Sequence, residues 1–306
     1  MLRVEKLQKS YGSFQAVKEV TFSVEPGSIF GFVGPNGAGK TTTMKVISTL
    51  LRPTAGQVFL GEVDVLRNPQ QARRKMGYMP DFFGVYDDLK VYEYMEFYAD
   101  CHEVEAAGRK RLIGDLLELV NLSQKQDAYV DGLSRGMKQR LCLARCLVHD
   151  PDLLILDEPA SGLDPRARVE MREILLELKR MGKTILISSH ILAELSEMCS
   201  HIGMINDGRM VVCGPVQEVQ REAGARIMEV QVAGDPEAAA ALARNVNGVR
   251  DVRLGDGGFR VVLEGEDQAA IDLLATLVRA GVPVIQYAEA KSKLEDVFMA
   301  ITGGEG

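Results

Sequence analysis

Residues 34–41 read Gly34-Pro35-Asn36-Gly37-Ala38-Gly39-Lys40-Thr41 and fit the pattern G-x-x-x-x-G-K-[ST] in full. The glycines let backbone N–H groups turn inward and approach phosphate oxygens. A helix starting there adds the positive end of its dipole. With that geometry Lys40 reaches the β- and γ-phosphates of a nucleotide, the Thr41 hydroxyl ligates Mg²⁺, and Thr42 continues the cradle. The loop alone says only that a nucleotide binds, because kinases, GTPases and many ATPases share it.

A second pattern narrows the chemistry. Leu153-Leu154-Ile155-Leu156 runs into Asp157-Glu158. Two carboxylates at the end of a buried apolar strand are costly unless they face a cation or hydrogen-bond donors. Asp157 is placed to hold Mg²⁺ through water, and Glu158 to orient or deprotonate an attacking water. A third apolar run, residues 184–188, ends at Ser189-His190.

The remaining motifs resemble those of ABC-type ATPases. Leu133-Ser134-Arg135-Gly136-Met137-Lys138-Gln139-Arg140 is similar to the signature segment, usually LSGGQ. Ser161-Gly162-Leu163-Asp164, just after Asp157-Glu158-Pro159, resembles the D-loop, and Ser188-Ser189-His190 the switch-histidine segment. Tyr11 matches by position the aromatic that stacks on adenine. The order covers residues 1–220. The resemblance implies a P-loop NTPase fold with a helical subdomain over about 82–149, and a head-to-tail dimer, with itself or with a second ATPase subunit, that sandwiches two ATP molecules. Ser134 and the Gly136 backbone would contact the γ-phosphate across the interface, and His190 from the same subunit as Lys40. It also implies a separate transmembrane permease as partner, export as the direction, and a place on the inner face of the cell membrane. A soluble regulatory or resistance ATPase, uncoupled from transport, is the alternative.

Two positions depart from the family. Arg135 and Met137 stand where a glycine and a glutamine are usual. Asp81, after Tyr78-Met79-Pro80, stands where a glutamine is usual; its shorter, anionic side chain can still reach Mg²⁺ through water. The adjoining Phe82-Phe83-Gly84-Val85-Tyr86 is aromatic-rich in a chain that is only 6% aromatic. It marks either a partner surface or packing between subdomains.

The elements that must position these residues are legible in outline. Alternating Val20, Phe22 and Val24 predict a half-buried strand, and the apolar run 28–33 predicts a central strand covered on both faces. A helix is expected over 43–51. Met137, Leu141, Ala144 and Val148 share one helical face. Asp164-Pro165 starts a helix that Gly182 stops. Past residue 220 the pattern changes to strand, helix, hairpin, helix and strand, the βαββαβ order of a ferredoxin-like α+β domain over 221–306. A terminal helix is expected from Ser292-Lys293-Leu294-Glu295, whose spacing is that of a capping box. The stretch Lys293-Leu294-Glu295-Asp296-Val297-Phe298 resembles the tail of the ABC-2 exporter subgroup, where such a domain regulates or stabilises the dimer.

Composition excludes other classes. A net charge of −7 argues against a general nucleic-acid binder, and no specific nucleic acid is expected. The five cysteines form no CxxC pair and predict buried thiols in a reducing cytoplasm. No apolar run approaches the ~20 residues of a membrane span.

Overall fold

The computed structural model describes residues 1–82, 84, 88–222, 225–255, 257–264 and 267–290. It divides into two units, Met1–Val216 and Gln217–Gly306.

In the first unit, β1 (Leu2–Tyr11) and β2 (Phe14–Val24) form an antiparallel hairpin, followed by β3 (Ile29–Val33) and α1 (Lys40–Ile47). After these come β4 (Ala55–Leu60), β5 (Val63–Asp64), α2 (Pro69–Arg73) and β6 (Met76–Met79). The helical stretch holds α3 (Val91–Cys101), α4 (Ala106–Leu119) and α5 (Arg135–Leu147). Then follow β7 (Leu153–Asp157), α6 (Pro165–Arg180), β8 (Thr184–Ser189), α7 (Leu192–Met198), β9 (His201–Asn206) and β10 (Arg209–Pro215).

One sheet has the order β2-β1-β4-β5; the other, β10-β9-β3-β8-β7-β6, is parallel apart from β10. Every residue of β3, β7 and β8 is buried, as expected of parallel strands covered on both faces. The two sheets share a core in which Phe22 stacks on Phe30 and Phe32, with ring centroids 5.1 and 5.3 Å apart. The carboxyl ends of β3, β7 and β8 lie side by side. They carry Gly34, Glu158 and His190 to one edge, where open parallel sheets hold their ligands.

Helix α5 is fixed along its length. Ser134 caps it, accepting the Met137 N–H at 3.3 Å. Arg140, nearly buried, donates to the Val120 carbonyl at 2.9 Å and pairs with Glu170 of α6 at 3.4 Å. At the far end the Cys146 thiol donates to the Tyr78 carbonyl at 3.2 Å, and a Cβ on Gly77 would meet the Cys146 carbonyl at 2.4 Å. The helix therefore sits directly against β6.

The second unit contains α8 (Val216–Glu222), which begins at the boundary, then β11 (Ala225–Val232), α9 (Pro236–Ala243), β12 (Val249–Gly255), β13 (Gly258–Glu264), α10 (Asp267–Arg279) and β14 (Val284–Ala290). Its antiparallel sheet has the order β12-β13-β11-β14. Met228, Val230, Val261 and Leu263 pack under Ala240, Leu273 and Leu277 of the two helices, giving the ferredoxin-like arrangement.

Two expectations need correction. The helix of the glycine loop ends at Ile47, short of Leu51, because Ser48 caps it and Thr49 takes a left-handed φ of 65°. Cys101 and Cys213 are exposed, whereas Cys142, Cys146 and Cys199 are buried; all five are free thiols. The expected terminal helix, and Phe83, Val85 and Tyr86 of the aromatic stretch, lie outside the described residues. Phe82 is exposed.

Candidate functional site

The loop after β3 is shaped by what surrounds its glycines. A Cβ on Gly34 would fall 2.2 Å from the Ile205 carbonyl, and one on Gly39 would fall 2.6 Å from the Ala16 carbonyl. Gly37 and Gly39 have φ of 83° and 105°, conformations open to glycine at little steric cost. Lys40 folds back over the loop. Its ammonium donates to the Gly34 carbonyl at 2.6 Å and the Pro35 carbonyl at 3.2 Å, and lies 3.5 Å from Glu158 Oε1. The Lys40 side chain is 6% exposed and that of Glu158 12%.

Glu158 is held from the other side by His190, whose Nδ1 lies 2.8 Å from Oε2. A carboxylate there accepts, so Nδ1 carries the ring proton and donates. Asp157, almost fully buried, accepts the Ser188 hydroxyl on Oδ1 at 2.7 Å, and its Oδ2 is buried without a hydrogen-bond partner. Burial raises its pKa, and the nearby charges of Asp81 and Glu158 add to the rise; hydrogen bonds from Ser188 and Thr41 oppose it. The Tyr78 phenol is likewise pushed up by burial, with Asp157 and Asp81 contributing.

One cleft is lined by Tyr11, Pro35, Asn36, Gly37, Gly39, Lys40, Thr41, Thr42, Asp81, Glu158 and His190. Gly34, Ala38 and Asp157 are buried and do not line it. Ser134 and Gly136 do not line it. They start α5, where Gly136 packs so closely on Ala167 and Leu163 that a Cβ would sit 3.0 and 3.5 Å from them. Sequence reasoning missed Phe14 and Ala16 in the cleft wall; Ser161, which also lines it, was read only as part of the D-loop segment. Phe14 had a signal: it pairs with Tyr11 across the Gly12-Ser13 turn, so both aromatics stand at the hairpin tip, 62% and 49% exposed. The Lys9 ammonium lies 5.2 Å from the Tyr11 ring centroid.

A glycine cradle at a helix start, a buried lysine and paired carboxylates at the edge of a parallel sheet define a phosphate-loop nucleotide hydrolase. The ABC transporter family model matches residues 17–161, and a model for the C-terminal domain of DrrA1-3-like ATP-binding proteins matches residues 214–302. Nod factor export ATP-binding protein I of Burkholderia orbicola is 37% identical over 98% of this chain and 96% of its own. The linearmycin resistance ATP-binding protein LnrL of Bacillus subtilis is 30% identical over 99% and 98%. The bacitracin transport ATP-binding protein BcrA of Bacillus licheniformis is 33% identical over 99% and 98%. Among solved structures, an ATP-binding subunit of an ABC transporter superposes with a TM-score of 0.67 at 31% identity, covering 73% of this chain and 93% of that one. MJ0796, a bacterial ABC transporter cassette with a dimeric structure, shares the fold at 23% identity and a TM-score of 0.65, covering 71% and 99%. The chain belongs to the ATP-binding subunits of ABC transporters, in the ABC-2 exporter subgroup. Subunits of this family are ATPases that power transport, working with membrane permeases. Among the described residues no helix is long and apolar enough to cross a membrane.

Proposed function

We propose that this chain hydrolyses ATP in the cleft at residues 34–41 and so drives export through a separate permease, on the cytoplasmic face of the membrane. The observation that carries this reading is the shared carboxylate: Glu158 faces Lys40 on one oxygen and His190 on the other. Lys40 neutralises the phosphate tail that the loop amides cradle. Glu158 takes a proton from water as the water oxygen attacks the γ-phosphorus. The bond from that phosphorus to the bridging oxygen breaks, and ADP departs with the electron pair. His190 fixes the orientation of Glu158. Tyr11, with Phe14 beside it, offers a flat apolar wall for the base.

The residues fit Mg²⁺, a hard cation that prefers oxygen. Thr41, Asp157 with its unpartnered buried Oδ2, and Asp81 would hold it. When bound it would neutralise charge on the phosphate oxygens. Ser134 and Gly136 are read as the surface a second ATPase subunit, identical or not, receives against its own nucleotide. Residues 1–220 form the ATPase domain, with its helical subdomain over about 82–149, and residues 221–306 the accessory domain. Export is supported by the name of one relative, Nod factor export ATP-binding protein I.

Changing Glu158→Gln tests the assignment: turnover falls about 10²–10⁴-fold with ATP binding retained. Turnover near the parent rate removes Glu158 from its role.

A further inference from the structure

Ser188 lies at the end of β8, in parallel register with Asp157 at the end of β7, and is fully buried. Its hydroxyl has one proton and makes two contacts. The O–H donates to Asp157 Oδ1 at 2.7 Å, and the oxygen accepts the backbone N–H of Glu158 at 2.9 Å. With its single proton committed to the carboxylate, the oxygen faces the amide only as an acceptor. The direction of both bonds is therefore set.

Glu158 needs such a tether. Its φ is 52°, in the left-handed region that a non-glycine residue occupies only under local constraint. That turn brings its carboxylate to Lys40 and His190. Asp157 is constrained by the same hydroxyl: with Oδ1 engaged, Oδ2 is left as the buried oxygen without a partner. The neighbouring Ser189 has a different task, since its hydroxyl accepts the Ile191 N–H at 2.9 Å. The two serines are not equivalent.

The geometry assigns Ser188 as a positioning residue for hydrolysis: one hydroxyl sets the side chain of Asp157 and the backbone of Glu158 relative to each other. The inference rests on the roles given to these carboxylates above. Removing the hydroxyl leaves the partly buried Glu158 amide unpaired and takes from Asp157 its hydrogen bond at 2.7 Å, with only the Thr41 hydroxyl remaining to it. It also frees the Glu158 backbone to relax, carrying its carboxylate off the line between Lys40 and His190.

The test uses the full chain with Ser188→Ala, Ser188→Thr, Glu158→Gln and the double variant Ser188→Ala/Glu158→Gln. Steady-state ATPase rates are read against ATP and Mg²⁺ concentration. Nucleotide affinity is read separately, with a fluorescent ATP analogue in EDTA. Ser188→Ala is expected to lower kcat about 10–100-fold, the scale of a small misplacement of reacting groups. The Mg²⁺ needed for half-maximal rate rises, affinity for the analogue stays within about threefold, and Ser188→Thr restores most of the rate. In the Glu158→Gln background, at saturating Mg²⁺, the same deletion costs less than about twofold further in kcat, because its effect on the chemical step acts through that residue.

A kcat for Ser188→Ala within about twofold of the parent overturns the proposal. So does an equal loss in the Glu158→Gln background, or a fall in analogue affinity as large as the fall in kcat. The earlier reading fails separately: if Glu158→Gln alone turns over at the parent rate, the role of Glu158 is wrong whatever Ser188→Ala shows.

Discussion

The imidazole rings of His102 and His149 stack face to face, with centroids 4.0 Å apart and planes 5° from parallel. His102 caps the end of α3, and His149 follows α5 with Nε2 3.1 Å from the Met76 carbonyl. Burial lowers both pKa values. For His102 the neighbouring ring and Arg145 add to the fall; for His149 the Met76 and Arg73 backbone and Asp150 oppose it, while Lys183 adds to it.

That stack predicts how stability follows pH. A histidine whose folded pKa is depressed binds fewer protons folded than unfolded. Its contribution is complete above the unfolded value of about 6.5 and is lost as pH falls toward the folded pKa. Melting temperature should therefore drop on acidification from pH 7.5 to 5.5, and drop by a few degrees less in the variant His102→Asn/His149→Gln. Parallel curves for the two proteins contradict the prediction.

Asp157 has the opposite sign. Its raised pKa means that the folded chain binds a proton to higher pH than the unfolded chain. Stability therefore declines as pH rises from the unfolded value of about 3.9 through the folded one. Asp157→Asn keeps an acceptor for Ser188 and removes the buried charge. Without nucleotide, its melting temperature at pH 7.5 should exceed the parent's by a few degrees, with the gain shrinking toward pH 4 and the stabilisation by Mg²⁺–ATP lost. A lower melting temperature at pH 7.5 refutes this account of the carboxylate.

Gly34 tests the cradle. A methyl there would press on the Ile205 carbonyl at 2.2 Å and on the Ile205 side chain at 2.9 Å. Backbone cannot rotate aside as a side chain can, so the loop or β9 must move. Gly34→Ala should weaken ATP binding at least about 10-fold, or 1.4 kcal/mol, by titration calorimetry. Unchanged affinity would show that the phosphates lie elsewhere.

Some of this architecture was plain in the residue order. β3, β7 and β8 are short apolar runs bounded by turn residues, and buried parallel strands look like that. Asp164 was readable as a cap, and it accepts the Ala167 N–H at 2.9 Å. β1 was not readable, because register shifts and a left-handed φ of 46° at Lys6 break its alternation. The β9–β10 hairpin carried a signal in Asp207-Gly208, both with positive φ, but no clear period on either side. In the cleft, the glycine loop announced itself because one short segment holds its whole mechanism. Ser188 did not, since its bonds depend on the register of β8 against β7, set by packing across 31 residues of sequence.

Helix α5 joins two places that the chain order keeps far apart. Its first turn carries Ser134 and Gly136, and its last is pinned through Cys146 to the strand that leads into Asp81. Thirteen residues make a rod about 20 Å long. Because that rod is clamped at its middle by Arg140 as well, it has little freedom to bend or slide. A displacement at the Ser134 end would be carried to the other, as by a strut, and would arrive beside Asp81 in the cleft wall.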